Sequence, residues 1–205
     1  MHEIKATTSY RQALRERILD VAMSNFAHRG IRAVKMDDIA CELGISKRTL
    51  YEIYENKALL LYEGVKRFKE RRDEEMHKKA RNSSSVIAFI LEVYRQETEL
   101  FHRVCPAFYS DLVKYPQVVK FLDRNRAEHR QLFLQFMERG VKEGYFRSEI
   151  SYELVVQLFD ALGSYITDKM LYKNYSFEEL FFNVFFVTLR GICTMKGVEE
   201  LDRNL

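Results

Sequence analysis

The fold of this chain is decided by residues 39–57, which read Ile-Ala-Cys-Glu-Leu-Gly-Ile-Ser-Lys-Arg-Thr-Leu-Tyr-Glu-Ile-Tyr-Glu-Asn-Lys. The stretch begins with apolar and small side chains at helical spacing, and Gly44 can adopt the left-handed conformation that ends a helix. Ser46 is a favourable N-cap for a second helix. The apolar residues of that helix recur at helical spacing: Leu50, Ile53 and Tyr54. The pattern predicts two short helices joined by a tight turn.

The exposed N-terminal turn of the second helix carries side chains suited to DNA. Hydroxyl, basic and aromatic groups are crowded there: Ser46, Lys47, Arg48, Thr49 and Tyr51. In a DNA-binding helix-turn-helix, the second helix enters the major groove by its N-terminal residues. The alternative is an ordinary helical hairpin with a basic tip, because isolated motifs of this kind also occur by chance.

Most of residues 11–61 resembles the signature of the tetracycline-repressor (TetR) family of transcriptional regulators. The matching positions are Asp38, Ile39, Ala40, Gly44, Ile45, Ser46, Thr49, Leu50, Tyr51, Tyr54 and residues 56–60. The resemblance implies an all-α protein with two parts. Three N-terminal helices would form a helix-turn-helix DNA-binding domain, and a larger helical domain would dimerise and sense a small molecule.

The sequence departs from the family pattern at three positions. Lys35 stands where a threonine cap is usual. Ile53 replaces a histidine or tyrosine that would contact a phosphate. Arg48 replaces a common glycine and adds a side chain long enough to reach a base. These departures leave the expected fold unchanged, but the last two alter the expected contacts with the operator.

Six residues are predicted to bind DNA: Ser46, Lys47, Arg48, Thr49, Tyr51 and Lys57. Ser46 is expected to cap the recognition helix and meet a phosphate, and the next four to read bases and phosphates. Arg48 can reach a guanine edge with two hydrogen bonds. Lys57 is expected to donate to a backbone phosphate.

Composition indicates a protein of the cytoplasm. The 205 residues are 47% hydrophobic and 31% charged, with a net charge of +3. A local basic patch says more about nucleic-acid binding than this small excess does. The three cysteines are far apart and include no Cys-x-x-Cys pair, which argues against a disulfide scaffold or a structural zinc site. No apolar run is long enough for a signal peptide or a membrane span.

The rest of the chain predicts about nine helices and no β-sheet. We expect a DNA-binding domain over residues 1–56, in which residues 1–9 form a loose arm. A connector helix is expected over residues 57–80, and a ligand-binding and dimerisation domain over residues 81–205. The last expected helix follows a capping box at residues 176–179 and ends near Met195. Because it is apolar on nearly every side, we expect residues 181–192 to pair with a symmetry mate, helped by residues 154–170.

The aromatic and methionine residues of the second domain have two interpretations. A stripe at helical spacing is by default core, but such residues can also line a pocket for an apolar ligand. The family resemblance favours a pocket for some members of one group: Tyr94, Thr98, Phe101, His102, Phe108, Phe133, Phe136, Met137 and Tyr165. A ligand polar group is expected near His102 or Tyr94.

Enzyme interpretations have little support in the sequence. No Gly-rich phosphate loop is present, and the pair Gly163-Ser164 lies within a predicted helix rather than at a strand-turn-helix elbow. His102 and Cys105 stand one helical turn apart, but no cluster of further ligands accompanies them. We therefore expect no cofactor and no metal.

The sequence as a whole predicts a homodimeric, ligand-responsive transcriptional regulator of the TetR type. It would act as a repressor released from a palindromic operator by a small, mostly apolar molecule. One alternative is an architectural DNA-binding protein without an effector. The alternative from another class is an all-helical metal-dependent enzyme.

Overall fold

The computed structural model describes the backbone of residues 2–204 and the side chains of residues 10–125 and 130–204. Its helices are α1 His2–Arg29, α2 Met36–Leu43, α3 Lys47–Ile53, α4 Lys57–Asn82, α5 Val86–Arg103, α6 Pro106–Leu112, α7 Pro116–Lys142 and α8 Tyr152–Asp168. A short 3₁₀ turn, Leu171–Lys173, follows. Helix α9 joins Phe177–Leu180, the π-helical segment Phe181–Phe186 and Val187–Ile192 without a break, and α10 is Met195–Asn204.

The all-α fold class is confirmed, and the described residues form ten helices where about nine were expected. Within the described residues no strand forms, although Phe146 and Cys193 make one isolated antiparallel bridge. The extra helix is α10. It arises because the chain is extended at Cys193 and the Thr194 hydroxyl then accepts the Gly197 N–H at 3.2 Å, as an N-cap does.

The start of the chain also differs from expectation. The predicted loose arm is wrong, because α1 begins at His2 rather than near Arg11. The end of α1 agrees with the sequence, since Gly30 follows it with a φ of 83°. A capping box is confirmed at the start of α9, where the Ser176 hydroxyl accepts the Glu179 N–H at 3.1 Å.

The chain divides into two compact units. The first unit contains the described chain up to Arg72 together with Arg103–Leu122, and the second contains Asp73–His102 and the described chain from Asp123 onward. Residues 103–122 thus belong with the N-terminal helices, whereas the sequence assigned them to the second domain. The predicted functional boundaries at residues 56 and 80 stay a prediction.

The core of the first unit is built from the facing sides of α1, α2, α3 and α4. Its fully buried side chains include Ile18, Phe26, Ile39, Leu50, Tyr54 and Leu60. Burial of this apolar surface supplies the stability that helices as short as α2 and α3 lack in isolation. The three N-terminal helices therefore form a platform on which the turn before α3 has a defined position.

Tyr54, which follows α3, is a buried tyrosine whose hydroxyl has no hydrogen-bond partner among the described residues. The guanidinium carbon of Arg15 lies 4.8 Å from the centre of its ring. Burial raises the pKa of Tyr54 to about 12, against about 10 for an exposed tyrosine. Folding therefore favours the neutral phenol. This stabilisation is complete below about pH 10 and is lost as the pH rises towards about 12.

Tyr54→Phe is expected to be as stable as the wild type at neutral pH, or more stable by about 1 kcal/mol, because it removes a buried hydroxyl without a partner. The variant should also lose less stability between about pH 9 and 11. Urea unfolding of both proteins across this pH range measures the difference between their free energies of unfolding. The other tyrosines are present in both proteins, so their contributions cancel in this difference. A loss of more than about 1 kcal/mol at neutral pH would show that the hydroxyl makes a hydrogen bond.

The second unit has its own core, and side-chain hydrogen bonds hold the turn between α4 and α5. Val86, Ile87, Met137, Phe146 and Ile192 are among its buried residues. The Arg139 guanidinium donates to the carbonyl oxygens of Ala80 at 2.6 Å and Ser83 at 2.8 Å. The Glu143 carboxylate accepts the Val86 N–H at 2.8 Å. Arg139 thus satisfies carbonyl groups at the end of α4, and Glu143 satisfies the first N–H of α5.

Candidate DNA-binding surface

The turn between α2 and α3 has the geometry that the sequence predicts. Gly44 has a φ of 66°, and its N–H donates to Cys41 O at 3.1 Å. The Ile45 N–H donates to Ala40 O at 3.0 Å, so the last carbonyls of α2 are satisfied. The Ser46 hydroxyl then accepts the Thr49 N–H at 3.0 Å, which confirms Ser46 as the N-cap of α3.

Contacts with α1 hold α2 and α3 in place. The Asn25 side-chain amide donates to the Glu42 carboxylate at 2.7 Å, which joins α1 to α2. Arg11 donates to the carbonyl oxygen of Glu52 at 3.1 Å, which joins α1 to the last turn of α3. Sequence reasoning missed Arg11, because a contact between positions 41 residues apart leaves no local signal.

Most of the predicted DNA-binding residues come together on one exposed turn. Ser46, Lys47, Arg48 and Tyr51 are exposed, and Thr49 is half-buried. Leu50 of the same helix is fully buried. Helix α3 therefore turns its apolar side towards the core and leaves its N-terminal polar side free to enter a groove.

Both basic residues of this turn have an acidic neighbour. The Lys47 ammonium lies 2.5 Å from Asp37, and the Arg48 Nε lies 2.9 Å from Glu52. Hydrogen bonds to these carboxylates raise the pKa of each basic group, so both stay protonated. The pairs are exposed to solvent, where ion pairs hold only weakly. Phosphates or base edges can therefore replace the carboxylates.

Lys57 differs from the other five predicted residues. Its ammonium is partly buried and donates to the carbonyl oxygens of Ile31 and Val34, each at 2.9 Å. Burial lowers its pKa, although Asp111 and Asp38 act in the opposite direction. Two of its three N–H donors are thus bonded within the protein. The predicted phosphate contact of Lys57 stays a prediction, and the structure shows this side chain bonded to the segment between α1 and α2.

The predicted ligand-binding residues fall in both units. Phe108 belongs to the first unit and packs against its core. The other candidates lie in the second unit: Tyr94, Thr98, Phe101, His102, Phe133, Phe136, Met137 and Tyr165. Met137 is fully buried in the core, whereas Tyr165 is 56% exposed. Phe133 and Phe136 pack on the rings of Phe159 and Phe89.

Three of these candidates meet α9. The Tyr94 ring centre lies 4.2 Å from that of Phe181, and Phe101 lies 5.4 Å from Phe177. The His102 Nε2 atom lies 2.7 Å from a Glu178 carboxylate oxygen. Thr98 instead donates its hydroxyl hydrogen to the Tyr94 carbonyl at 3.0 Å. Phe177 and Phe181 of α9 belong to this cluster. The predicted pairing of residues 181–192 with a symmetry mate stays a prediction.

The described residues contain no group of three or more His, Cys, Asp or Glu side chains placed to hold a metal ion. In the same part of the chain, no helix is long and apolar enough to cross a membrane. The first unit has two further features: the three helices packed around a buried core and the exposed polar turn of α3. Together they define a helix-turn-helix DNA-binding protein.

Comparison with known proteins shows what the chain is similar to. Residues 18–63 match the family model of bacterial regulatory proteins of the tetR family. The chain is 29% identical to the HTH-type transcriptional repressor KstR2 of Rhodococcus jostii (strain RHA1) over 153 residues, which is 72% of this chain and 74% of that protein. It is 25% identical to KstR2 of Mycobacterium tuberculosis (strain ATCC 25618 / H37Rv) over 147 residues, which is 69% of this chain and 73% of the relative.

Solved structures of transcriptional regulators share the fold. A transcriptional regulator from Cytophaga hutchinsonii matches with a TM-score of 0.70 and 20% identity, covering 87% of this chain and 98% of that chain. The ketosteroid transcriptional regulator KstR2 of Mycobacterium tuberculosis matches with a TM-score of 0.57 and 21% identity, covering 88% and 95%. The helix-turn-helix region of the chain thus matches the TetR family, and its similarity to transcriptional repressors over most of its length supports a DNA-binding regulator.

Proposed function

We propose that this protein is a cytoplasmic, homodimeric repressor whose affinity for a palindromic operator is lowered by a small, mostly apolar molecule. The observation that carries the proposal is the N-terminal turn of α3, which exposes Lys47, Arg48 and Tyr51 on a platform of buried apolar residues. The relatives named as transcriptional repressors support repression rather than activation.

The exposed apolar face of α8 and α9 supports a homodimer. Leu154, Leu158 and Tyr165 lie on one side of α8 and are 64%, 46% and 56% exposed. Val187 of α9 is 62% exposed, and Gly191 follows one turn later with no neighbouring atom within 4 Å of where a Cβ would lie. Apolar side chains exposed on adjacent turns mark an interface. The proposed contact is a two-fold pairing of α8 and α9 with the same helices of a second copy.

The aromatic cluster between α5 and α9 supports an apolar effector. Its ring contacts join Tyr94 and Phe101 to Phe177, Phe181 and Phe182. Residues Phe181–Phe186 form a π-helical segment, a geometry found often at functional sites. The exposed imidazole of His102 lies beside the cluster and could orient one polar group of a ligand.

The experiment that tests this function is calorimetric titration of an effector in the presence and absence of operator DNA. A ketosteroid is the first probe, because KstR2 of Mycobacterium tuberculosis is described as a ketosteroid transcriptional regulator, and a long-chain fatty acid is the second. A coupling of about 1–3 kcal/mol would lower effector affinity by about 5- to 150-fold when operator is bound. Operator affinity must fall by the same factor when effector is bound.

Two results would contradict the proposal in different ways. Tight binding with equal affinity in both conditions would show a ligand site without a switch. Failure of both probes to bind would contradict an apolar effector and would leave the DNA-binding function untouched. The matched variant is Phe101→Tyr, which adds one hydroxyl within the cluster and should change effector affinity without changing operator affinity in the absence of ligand.

A further inference from the structure

The loop between α1 and α2, residues 30–35, is held by two side chains of opposite charge from outside the three DNA-binding helices. Asp111 of α6 accepts the Arg32 N–H at 2.8 Å through its Oδ2 atom. Lys57, the first residue of α4, donates to Ile31 O and Val34 O at 2.9 Å each. All of these groups belong to the first unit. Helix α2 begins directly after this loop, so the loop sets where α2 and then α3 start.

Asp111 is buried to a degree that is unusual for a carboxylate. The residue is only 8% exposed, and aspartate is seldom buried unless its charge is paired. Its Oδ1 atom accepts from the Lys114 ammonium at 3.0 Å. Burial works against ionisation, but the bonds from the Arg32 N–H and Lys114 hold the pKa of Asp111 below its usual value. The carboxylate therefore stays charged while it is bonded to the loop.

The packing of α6 against the same loop is equally close. A Cβ placed on Gly30 would lie 2.9 Å from the Cβ of Ala107, and Gly30 also has a φ of 83°. The Cys105 N–H, just before α6, donates to Ala27 O in the last turns of α1 at 2.7 Å. Residues 105–111 thus contact the end of α1 and the loop through a backbone hydrogen bond, close packing at Gly30 and the hydrogen bond from the Arg32 N–H to Asp111.

We propose that Asp111 and Lys57 are positioning residues for DNA binding, which fix loop 30–35 and thereby the placement of α2 and α3. The proposal rests on the DNA-binding function of the first unit and does not require an effector. A binding site has to be held within about 0.5 Å of its productive geometry by supporting side chains. Neither residue would need to touch DNA for its loss to weaken operator binding.

Because Asp111 is negatively charged, the direction in which its removal changes operator affinity distinguishes electrostatics from positioning. Removing a negative charge from a DNA-binding unit strengthens binding if electrostatics alone decides. The positioning role predicts the opposite, because the Arg32 N–H loses its acceptor. We expect Asp111→Ala to weaken binding at least about 10-fold to an operator selected by the wild-type protein. Asp111→Asn keeps an acceptor oxygen and should recover part of this loss.

Glu55→Gln is the matched control, because Glu55 is an exposed carboxylate in the segment between α3 and α4. The affinity of the Glu55→Gln variant for operator should stay the same or rise. Circular dichroism of each variant at the assay temperature establishes that it is folded. Should Asp111→Ala fail to fold, Asp111→Asn and the Lys57 variant decide the question. Equal or stronger operator binding by Asp111→Asn and Asp111→Ala would overturn the proposal.

Lys57→Met separates positioning from direct phosphate contact. A lysine that neutralises one phosphate contributes about one unit to the slope of log affinity against log salt concentration. A dimer carries two such lysines, so their joint contribution is about two units. The positioning role predicts weaker binding to operator, little change on random DNA, and an unchanged slope. A slope reduced by about two, with equal losses on operator and random DNA, would assign Lys57 to a phosphate and overturn its positioning role.

Discussion

Replacing Val187 by aspartate is expected to split the homodimer and remove specific operator binding. The side chain is 62% exposed on the protomer and lies on the α9 face proposed to pair with a second copy. In a two-fold interface the substitution would bury two unpaired carboxylates, one from each protomer. Burying a charge without a partner costs about 3–5 kcal/mol. The dimer dissociation constant should therefore rise at least about 100-fold.

Analytical ultracentrifugation at micromolar concentration measures this effect, and Val113→Asp is its matched control. Val113 is a second exposed valine, at 46%, but it follows α6 in the first unit. We expect Val187→Asp to sediment as a monomer and Val113→Asp as a dimer. A stable wild-type monomer, or a Val187→Asp protein that remains dimeric, would contradict the proposed pairing of α8 and α9.

Arg48→Ala is expected to cause the second large effect, a loss of sequence preference. A bidentate contact from arginine to guanine discriminates against a wrong base by about 5- to 150-fold. A dimer on a palindrome makes the contact twice, so the loss should reach about 25-fold to 2 × 10⁴-fold. In the free protein Arg48 bonds to Glu52 through Nε. Its terminal nitrogens have no hydrogen bond to any described residue and stay available for a base edge.

Arg48→Lys separates base reading from charge. Lysine keeps the positive charge but lacks the planar fork that fits guanine, so the variant should bind random DNA like the wild type and bind operator like Arg48→Ala. Fluorescence anisotropy with operator and random duplexes at matched salt gives both affinities. Equal losses on the two DNAs for Arg48→Ala would show that Arg48 serves only as a charge.

The helix-turn-helix could be predicted from the sequence because its signals are local. Gly44 has to adopt the left-handed conformation, and the Ser46 hydroxyl reaches an N–H only three residues away. Both signals depend only on residues at the turn, so the packing of the rest of the chain does not alter them. The exposure of Lys47 and Arg48 follows from the burial of Leu50 on the other side of the same short helix.

The supporting contacts could not be predicted in the same way. Asp111 bonds to a loop residue 79 positions earlier, and Lys57 bonds to carbonyls 23 and 26 positions earlier. Such pairs depend on how helices pack, and single-sequence periodicity carries no information about them. For the same reason, the contact of Phe181 with Tyr94 could not be predicted. Its spacing shows an apolar helix, but only packing shows that the ring meets Tyr94 of its own unit.

Selection of binding sites from random-sequence DNA by the wild-type protein, followed by footprinting of the selected site, tests the central claim most directly. We predict that one inverted repeat will be enriched, with half-sites whose centres lie about 34–36 Å apart or a multiple of that distance. Substitution of Arg48 should then change the enriched bases. If the protein binds DNA in every round but no sequence is enriched, the result would contradict a sequence-specific regulator.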